Sequence, residues 1–251
     1  KDVQTDHGFS ATALEVTRGL PHNVTTEMDL ALWKTASAIR QDQASYAAFL
    51  DSDARTLAAR YRNGTLPEAA QTAIVNFMGR YGMRGLAEID MGQPRWREEP
   101  TSIMQTLQSY LQIPEEMAPD AVFEKGAKAA ELAIERLAAQ ARRSSGGEIK
   151  EKIVRALAGR IRTLMGLRES PKFFIVRLMG IIRNELLASG DEFVGAGIIE
   201  KPEDLFFLHF DELQALANRH SRDWKSLVAE RRAVYDRENR RKQIPRVLVS
   251  D

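Results

Sequence analysis

The sequence predicts a mainly α fold, with at most a short strand near residues 205–208 and an extended C-terminal tail. Apolar residues recur at three-to-four spacing almost throughout the 251 residues. Proline, glycine and small polar residues punctuate those periodic segments where helices would stop and start. No internal repeat and no alternation of strands with helices is present, which disfavours a parallel sheet or barrel.

The elements follow in order. Residues 26–41 place Met28, Leu32, Ala36 and Ile39 on one helical face, with Thr25 or Thr26 as N-cap. Residues 52–62 form a second helix, opened by Ser52 or Asp53. Residues 67–82 begin with Pro67 in a first turn and run through Ala70, Ile74, Phe77 and Met78. A short helix covers 100–112. A long one, 119–143, repeats Val122, Ala129, Leu132, Ala133 and Leu137. "SSGGE" (144–148) turns the chain into a helix ending near Leu167. Ser170 caps and Pro171 opens the most apolar helix, 171–196, which carries Phe174, Leu178, Ile181, Ile182, Leu186 and Phe193. Leu205–Leu208 is the candidate strand, Asp211 starts a capped helix, and a highly charged helix spans 221–242. "IPRVLVSD" reads as extended.

Composition bounds the function. With 43% hydrophobic and 28% charged residues the chain is an ordinary globular sequence, long enough to bury a sizeable core. A net charge of +1 offers no global field for nucleic acid. No apolar run reaches membrane-spanning length. The absence of cysteine excludes disulfide and thiolate chemistry. "KDVQTDHGFS" lacks the apolar stretch of a signal peptide, so a cytoplasmic location is expected. Without a methionine or helix-start logic there, the chain reads as a piece of a longer protein.

Several motifs have ordinary readings. His7, His22, His209 and His220 lie in four unrelated segments without metal-ligand spacing. "NVT" and "NGT" match an acceptor pattern for glycosylation that the absence of a secretory signal makes moot. No glycine-rich phosphate loop occurs, so no nucleotide site is visible. The basic run Arg237–Lys242 is interleaved with Asp236, Glu238 and Asn239 and suits a solvated helix end.

Two stretches remain open between structural and functional roles. In "GLRESPKFF" (166–174), Arg168 and Lys172 flank a helix N-terminus, where cations oppose the dipole unless an anion sits between them. The ordinary alternative is an Arg168–Glu169 surface pair. "RYGMRGLAEIDMGQPRWREEP" (80–100) packs Arg80, Arg84, Arg95 and Arg97 with Glu88, Asp90, Glu98 and Glu99. Either those charges tie down a long loop, or its arginines face a phosphorylated partner.

Taken together and in order, "GLPHNVTTEMDLAL" (19–32), the 80–100 stretch, "RESPKF" (168–173), "AGIIEKPEDLFFLHFDEL" (196–213) and "PRVLVSD" (245–251) resemble the rifampicin-binding domain of rifampicin phosphotransferases. That family belongs with phosphoenolpyruvate synthase and pyruvate phosphate dikinase. The resemblance implies a parent enzyme of three parts: an ATP-grasp domain, a helical drug-binding domain and a swivelling phosphohistidine domain. It implies transfer of the ATP β-phosphoryl group to the histidine and then to an ansa-bridge hydroxyl, with ATP and Mg as requirements of the parent.

Under that resemblance, residues 1–243 are the later portion of the acceptor-substrate domain, and 244–251 lead toward the histidine domain. The expected partners are a rifamycin-like small molecule and the other domains of the same parent chain, with no nucleic acid and no membrane. Arg168, Glu169 and Lys172 match the positions where drug hydroxyl and phosphohistidine meet. Arg168 and Lys172 would neutralise charge, and Glu169 would orient the hydroxyl or a cation. The 80–100 stretch becomes mainly a structural signature, with Arg84 the member facing the substrate. No cofactor and no metal are expected in this piece, which alone would be inactive. Two other readings stay open: the equivalent domain of a phosphoenolpyruvate-synthase-like enzyme with another bulky hydroxylated substrate, and a non-enzymatic helical binding module.

Overall fold

Short polar side chains decide where the helices begin. In the computed structural model, which describes residues 14–241, Asn23 caps α1 (Val24–Gln41), its Oδ1 accepting from the amides of Thr25 and Thr26 at 3.0 Å each. The cap therefore lies two or three residues before the expected Thr25 or Thr26, because extended Asn23 reaches both free amides. Asp42 ends α1 and caps α2 (Gln43–Asp51) through Ser45 N–H, at 2.8 Å. That helix escapes sequence reading because a single residue both stops one helix and starts the next. Asp53 caps α3 (Ala54–Arg62) through Thr56 N–H at 2.7 Å.

Helix α4 (Glu68–Tyr81) has Pro67 at its cap position and no side-chain cap of its own. Its Ala70 amide is satisfied instead by the buried Ser45 hydroxyl of α2, at 3.1 Å. A cap borrowed from another element ties the two helices together. Then come α5 (Thr101–Leu111), a 3₁₀ turn (Glu115–Met117), α6 (Pro119–Arg142) and α7 (Gly147–Leu167). The tight link between the last two places Gly146 at φ 71°, a conformation that costs glycine little. Helix α8 spans Ser170–Gly195, close to its expected limits. Ser170 is already the first helical residue rather than the cap, since Phe173 N–H bonds to the Glu169 carbonyl.

The remaining segments are a 3₁₀ helix (Pro202–Phe207), α9 (Phe210–Ala217) and α10 (Trp224–Asn239). The candidate short strand at Leu205–Leu208 does not form, within the mainly α fold expected. Pro202 opens a helical turn, and Asp204 Oδ2 accepts the amides of Glu200 and Lys201, curling the backbone where a strand would extend it. Helix α9 is capped from His209, two residues before the expected Asp211, by a Glu212 carboxylate that accepts the His209 amide at 2.8 Å. No strand occurs among the described residues. The tail 244–251 and His7 lie outside them.

Two compact units result. Among the described residues, the first holds those up to Leu86 together with Arg95–Arg177. Its core joins Ile39 of α1, Phe49 of α2, Leu57 of α3, Ile74 of α4 and Leu107 of α5 with Phe173 of α8. In the same unit α6 and α7 pack along each other. Ala133 and Ala158 form their contact with Val16, while Arg162 reaches the carbonyls of Val16, Arg18 and Gly19 at 2.6–2.8 Å. Of the residues expected to face inward, Ala133 is buried but Val122 and Leu132 are exposed, and Ala130 and Ala138 are buried with Ala133. Small residues let the two helix backbones approach closely.

The second unit holds Ala87–Pro94 and the chain from Leu178 onward. Ile199, Leu205, Leu216, Trp224 and Val228 form its core. Buried charges brace it. Arg183 is fully buried, donates to the Met91 carbonyl at 2.7 Å and stacks on Phe206. Glu212 accepts from Arg231, Arg222 (3.1 Å) and the His209 amide. The Arg231 hydrogen bonds hold its carboxyl down at about 2.

Glycines in α7 make opposite demands. An added Cβ at Gly166 would lie 1.8 Å from the Pro21 carbonyl oxygen, whereas at Gly159 it meets nothing within 4 Å. Gly159→Ala should stabilise by about 0.5–1 kcal/mol through helix propensity. Gly166→Ala should cost about 1–3 kcal/mol by forcing the helix off the Pro21 backbone. Urea unfolding of both variants checks the opposite signs.

Glu212 sets a pH dependence. Its folded pKa lies below the unfolded one, so its stabilisation is present above about pH 4.5 and lost as pH falls toward about 2. Glu212→Gln should cost about 2 kcal/mol at pH 7, the worth of charge-assisted hydrogen bonds. Thermal melts of both proteins should show that gap narrowing as pH falls from 5 toward 2.

Candidate functional site

A connected row of aromatic rings runs through the first unit and fixes the start of α8. Trp96 stacks against Phe77 (centroids 6.4 Å apart), Phe77 against Tyr81 (5.2 Å), Tyr81 meets Phe173 edge-on (6.0 Å), and Phe173 meets Phe174 (5.6 Å). Edge-on and offset contacts of this kind are favourable beyond the area they bury. Phe173 is 5% exposed and belongs to the core, while its neighbour Phe174 is 60% exposed. The row therefore passes from a dry interior to an open aromatic face within one turn of helix.

Arginines lie over several of these rings. Arg80 sits 5.3 Å from the Tyr81 ring centre, Arg84 5.9 Å from Trp96, and Arg177 5.8 Å from Phe173. Arg84 is half-buried and also approaches the Met28 sulfur at 3.4 Å. Arg80 is held by Glu27 at 2.6 Å. Burial drives the Tyr81 phenol upward, so it stays protonated and can donate. Beside Tyr81, a groove of about 600 Å³ opens between α1 and α4, lined by Leu30, Lys34, Phe77 and Arg80 among others.

The base of the 80–100 stretch is a backbone clamp. Trp96 N–H donates to the Arg84 carbonyl at 2.7 Å, and Arg97 N–H to Gly82 at 3.0 Å. Arg95 is fully buried, and its carbonyl accepts the amides of Glu98 and Glu99. Residues 87–94 belong to the second unit, where Gln93 donates to the Tyr235 hydroxyl at 2.7 Å and Asp90 accepts the Gly92 amide. The charged residues of this stretch thus support its shape.

Arg168 and Glu169 precede α8 and form an ion pair at 2.9 Å, with the Arg168 side chain 77% exposed. Lys172 is exposed in the first turn. Phe173 anchors this turn in the core, and Lys172 and the Arg168–Glu169 pair flank it along the chain. Arg84 joins the row of rings from the other end, over Trp96. Sequence reading did not single out Arg177 or the buried Phe173. The three-and-four spacing of Phe173, Val176, Gly180 and Arg183, all buried, was the available signal.

The arrangement offers aromatic surface and cations, the means of holding an apolar ligand that carries negative charge. Among the described residues, no group of three or more histidines, aspartates or glutamates is placed to hold a metal ion. His209 serves as a helix cap, and the His220 amide closes the end of α9 on the Ala215 carbonyl. No helix among the described residues is long and apolar enough to cross a membrane.

The rifampicin phosphotransferase fourth domain, as a family, matches residues 3–169. The chain is similar to the rifampicin phosphotransferase of Streptomyces sviceus, 32% identical over 247 residues, covering 97% of this chain and 28% of that protein. It is similar to that of Bacillus subtilis strain 168, 28% identical with the same coverage. For the Bacillus cereus enzyme the identity is 27% over 241 residues, with 94% and 27% covered. The chain therefore spans less than a third of the length of these curated relatives.

Adjacent phenylalanines provide a check on the anchoring. Phe173→Ala should destabilise by about 3–5 kcal/mol, as removal of a buried ring does. Phe174→Ala should stay within about 0.5 kcal/mol, as exposed positions do. Urea titrations of the two variants, compared with the unsubstituted chain, measure the difference.

Proposed function

The chain belongs to the rifampicin phosphotransferase family, and from that premise we propose that it is the acceptor-binding part of an enzyme that phosphorylates a rifamycin-like hydroxyl. Supporting this is the start of α8, where a buried phenylalanine holds two cations and a carboxylate next to an exposed aromatic face. Such a place suits the meeting of an apolar substrate with a transferring phosphoryl group.

In this reading the phosphoryl group comes from ATP through a phosphohistidine in another part of the parent chain. ATP would be the source of the phosphoryl group there, with Mg screening the charge of its phosphates. The residues of this chain bind and neutralise. Arg168 is exposed enough to turn from Glu169 toward an arriving phosphoryl group, and Lys172 adds a second charge within the first turn. Released from Arg168, the Glu169 carboxylate can accept a hydrogen bond from the acceptor hydroxyl and orient it. Arg84, stacked on Trp96, contributes a substrate-facing cation. Phosphoryl transfer depends on such positioning and charge neutralisation more than on covalent chemistry by the protein.

A second reading is favoured by one observation. The 77% exposure of Arg168, paired with its own neighbour, is also what an ordinary surface ion pair shows. Substitution in the full-length enzyme separates the two. Arg168→Ala and Lys172→Ala should each slow transfer to rifampicin roughly a hundredfold, about 2–4 kcal/mol of transition-state stabilisation. ATP-dependent histidine phosphorylation should remain intact, as read by single-turnover assays with labelled ATP. Transfer at the unsubstituted rate in both variants would leave the surface pair as the better account.

A further inference from the structure

Helix α7 is amphipathic in the wrong sense for an isolated hairpin. Its inward side carries Ala158 and Gly166, both buried, together with Glu151, Arg155 and Arg162, whose charges pair with α6 residues or cap backbone carbonyls. Its outward side carries Ile149, Ile153, Leu157, Ile161 and Leu164, each between 45% and 68% exposed. At helical pitch these five fall within an arc of about 120°. A helix normally turns its branched apolar residues toward the core. A contiguous exposed row of this kind marks a surface that another element covers.

The charges in the row restrict what that element is. Lys150 and Arg160 lie within the same arc and are exposed, whereas Glu148 and Glu151 fall outside it. The face is therefore apolar with only positive charges in it. A second copy would bring like charges to a shared interface, which costs binding energy. An apolar segment flanked by acidic side chains complements it. Chain to supply one exists in the family: this sequence covers 28% of the length of the Streptomyces sviceus relative.

We propose that the outer face of α7 is the seat of another segment of the same parent polypeptide, apolar and bordered by acidic residues. The inference rests on the length of the family's members, and not on which hydroxyl receives the phosphoryl group. It assigns to α7 a structural duty in the parent that the Arg168 site does not require. Covering this face would bury the row while leaving the small-residue contact with α6 unchanged.

The test uses the full-length protein, freed of other reactive cysteines, with Ile153→Cys, Leu157→Cys or, as an exposed control, Lys152→Cys. Maleimide labelling at 153 and 157 should be at least about tenfold slower than at 152, as expected for a site that reacts only on local opening. The protection should persist on dilution and be the same with and without rifampicin. Adding Arg160→Glu should speed labelling at 153, since it sets a negative charge against acidic flanks. Equal rates at all positions would overturn the proposal. So would protection that disappears on dilution, which identifies a second copy, or protection that needs rifampicin, which makes the face part of the drug site. Labelling requires no catalytic activity, so the result is readable even if the proposed phosphoryl acceptor is wrong.

Discussion

The contact between Phe173 and Tyr81 is the constraint on which the candidate site depends. Tyr81 ends α4, whose inward face of Ala70, Ile74 and Phe77 is fully committed to the first core. Phe173 enters that core from the first turn of α8 and meets Tyr81 edge-on. The position of α8's first turn is thereby set by packing, and the charges at 168, 169 and 172 inherit it. A salt bridge alone could not do this. The exposed Arg168–Glu169 pair is too weakly held by solvent-screened attraction to define a geometry.

The 80–100 stretch contributes in a related way. Its charge density suggests recognition, yet the structure uses that charge to shape a long loop. Backbone bonds from Trp96 and Arg97 close its base, Arg95 is buried whole, and Trp96 extends the row of rings toward Arg84. The backbone bonds at its base and the burial of Arg95 restrict the conformations open to such a loop. Its function is to hold Trp96 and Arg84 in place.

The hairpin of α6 and α7 follows a different logic. Alanine and glycine form the contact between its helices, and large apolar residues face outward. Close approach of two backbones gains dispersion contacts without bulky side chains, which frees isoleucine and leucine for the opposite face. The same helix therefore holds its hairpin together and presents a second apolar surface. Gly166, pressed against the Pro21 carbonyl, shows how little room the inward face leaves.

Local chemistry was legible in the sequence. Helical periodicity, proline and glycine punctuation and short polar caps gave the mainly α fold and most helix limits within a few residues, because those signals act within one or two turns. Ordered motifs, read together, identified the family. Less was legible where one residue served two elements, as Asp42 does between α1 and α2, or where a side chain carboxylate curled the backbone at Asp204. Periodicity in α6, α7 and α8 located helices but not their inward faces, since an apolar row reads alike whether it meets this chain's core or another surface. Only tertiary structure decided that Phe173 is buried and Phe174 open, that Ser45 caps α4, and that Arg95 and Arg183 lie inside. Each of these is set by residues distant in sequence, whose packing no local pattern encodes.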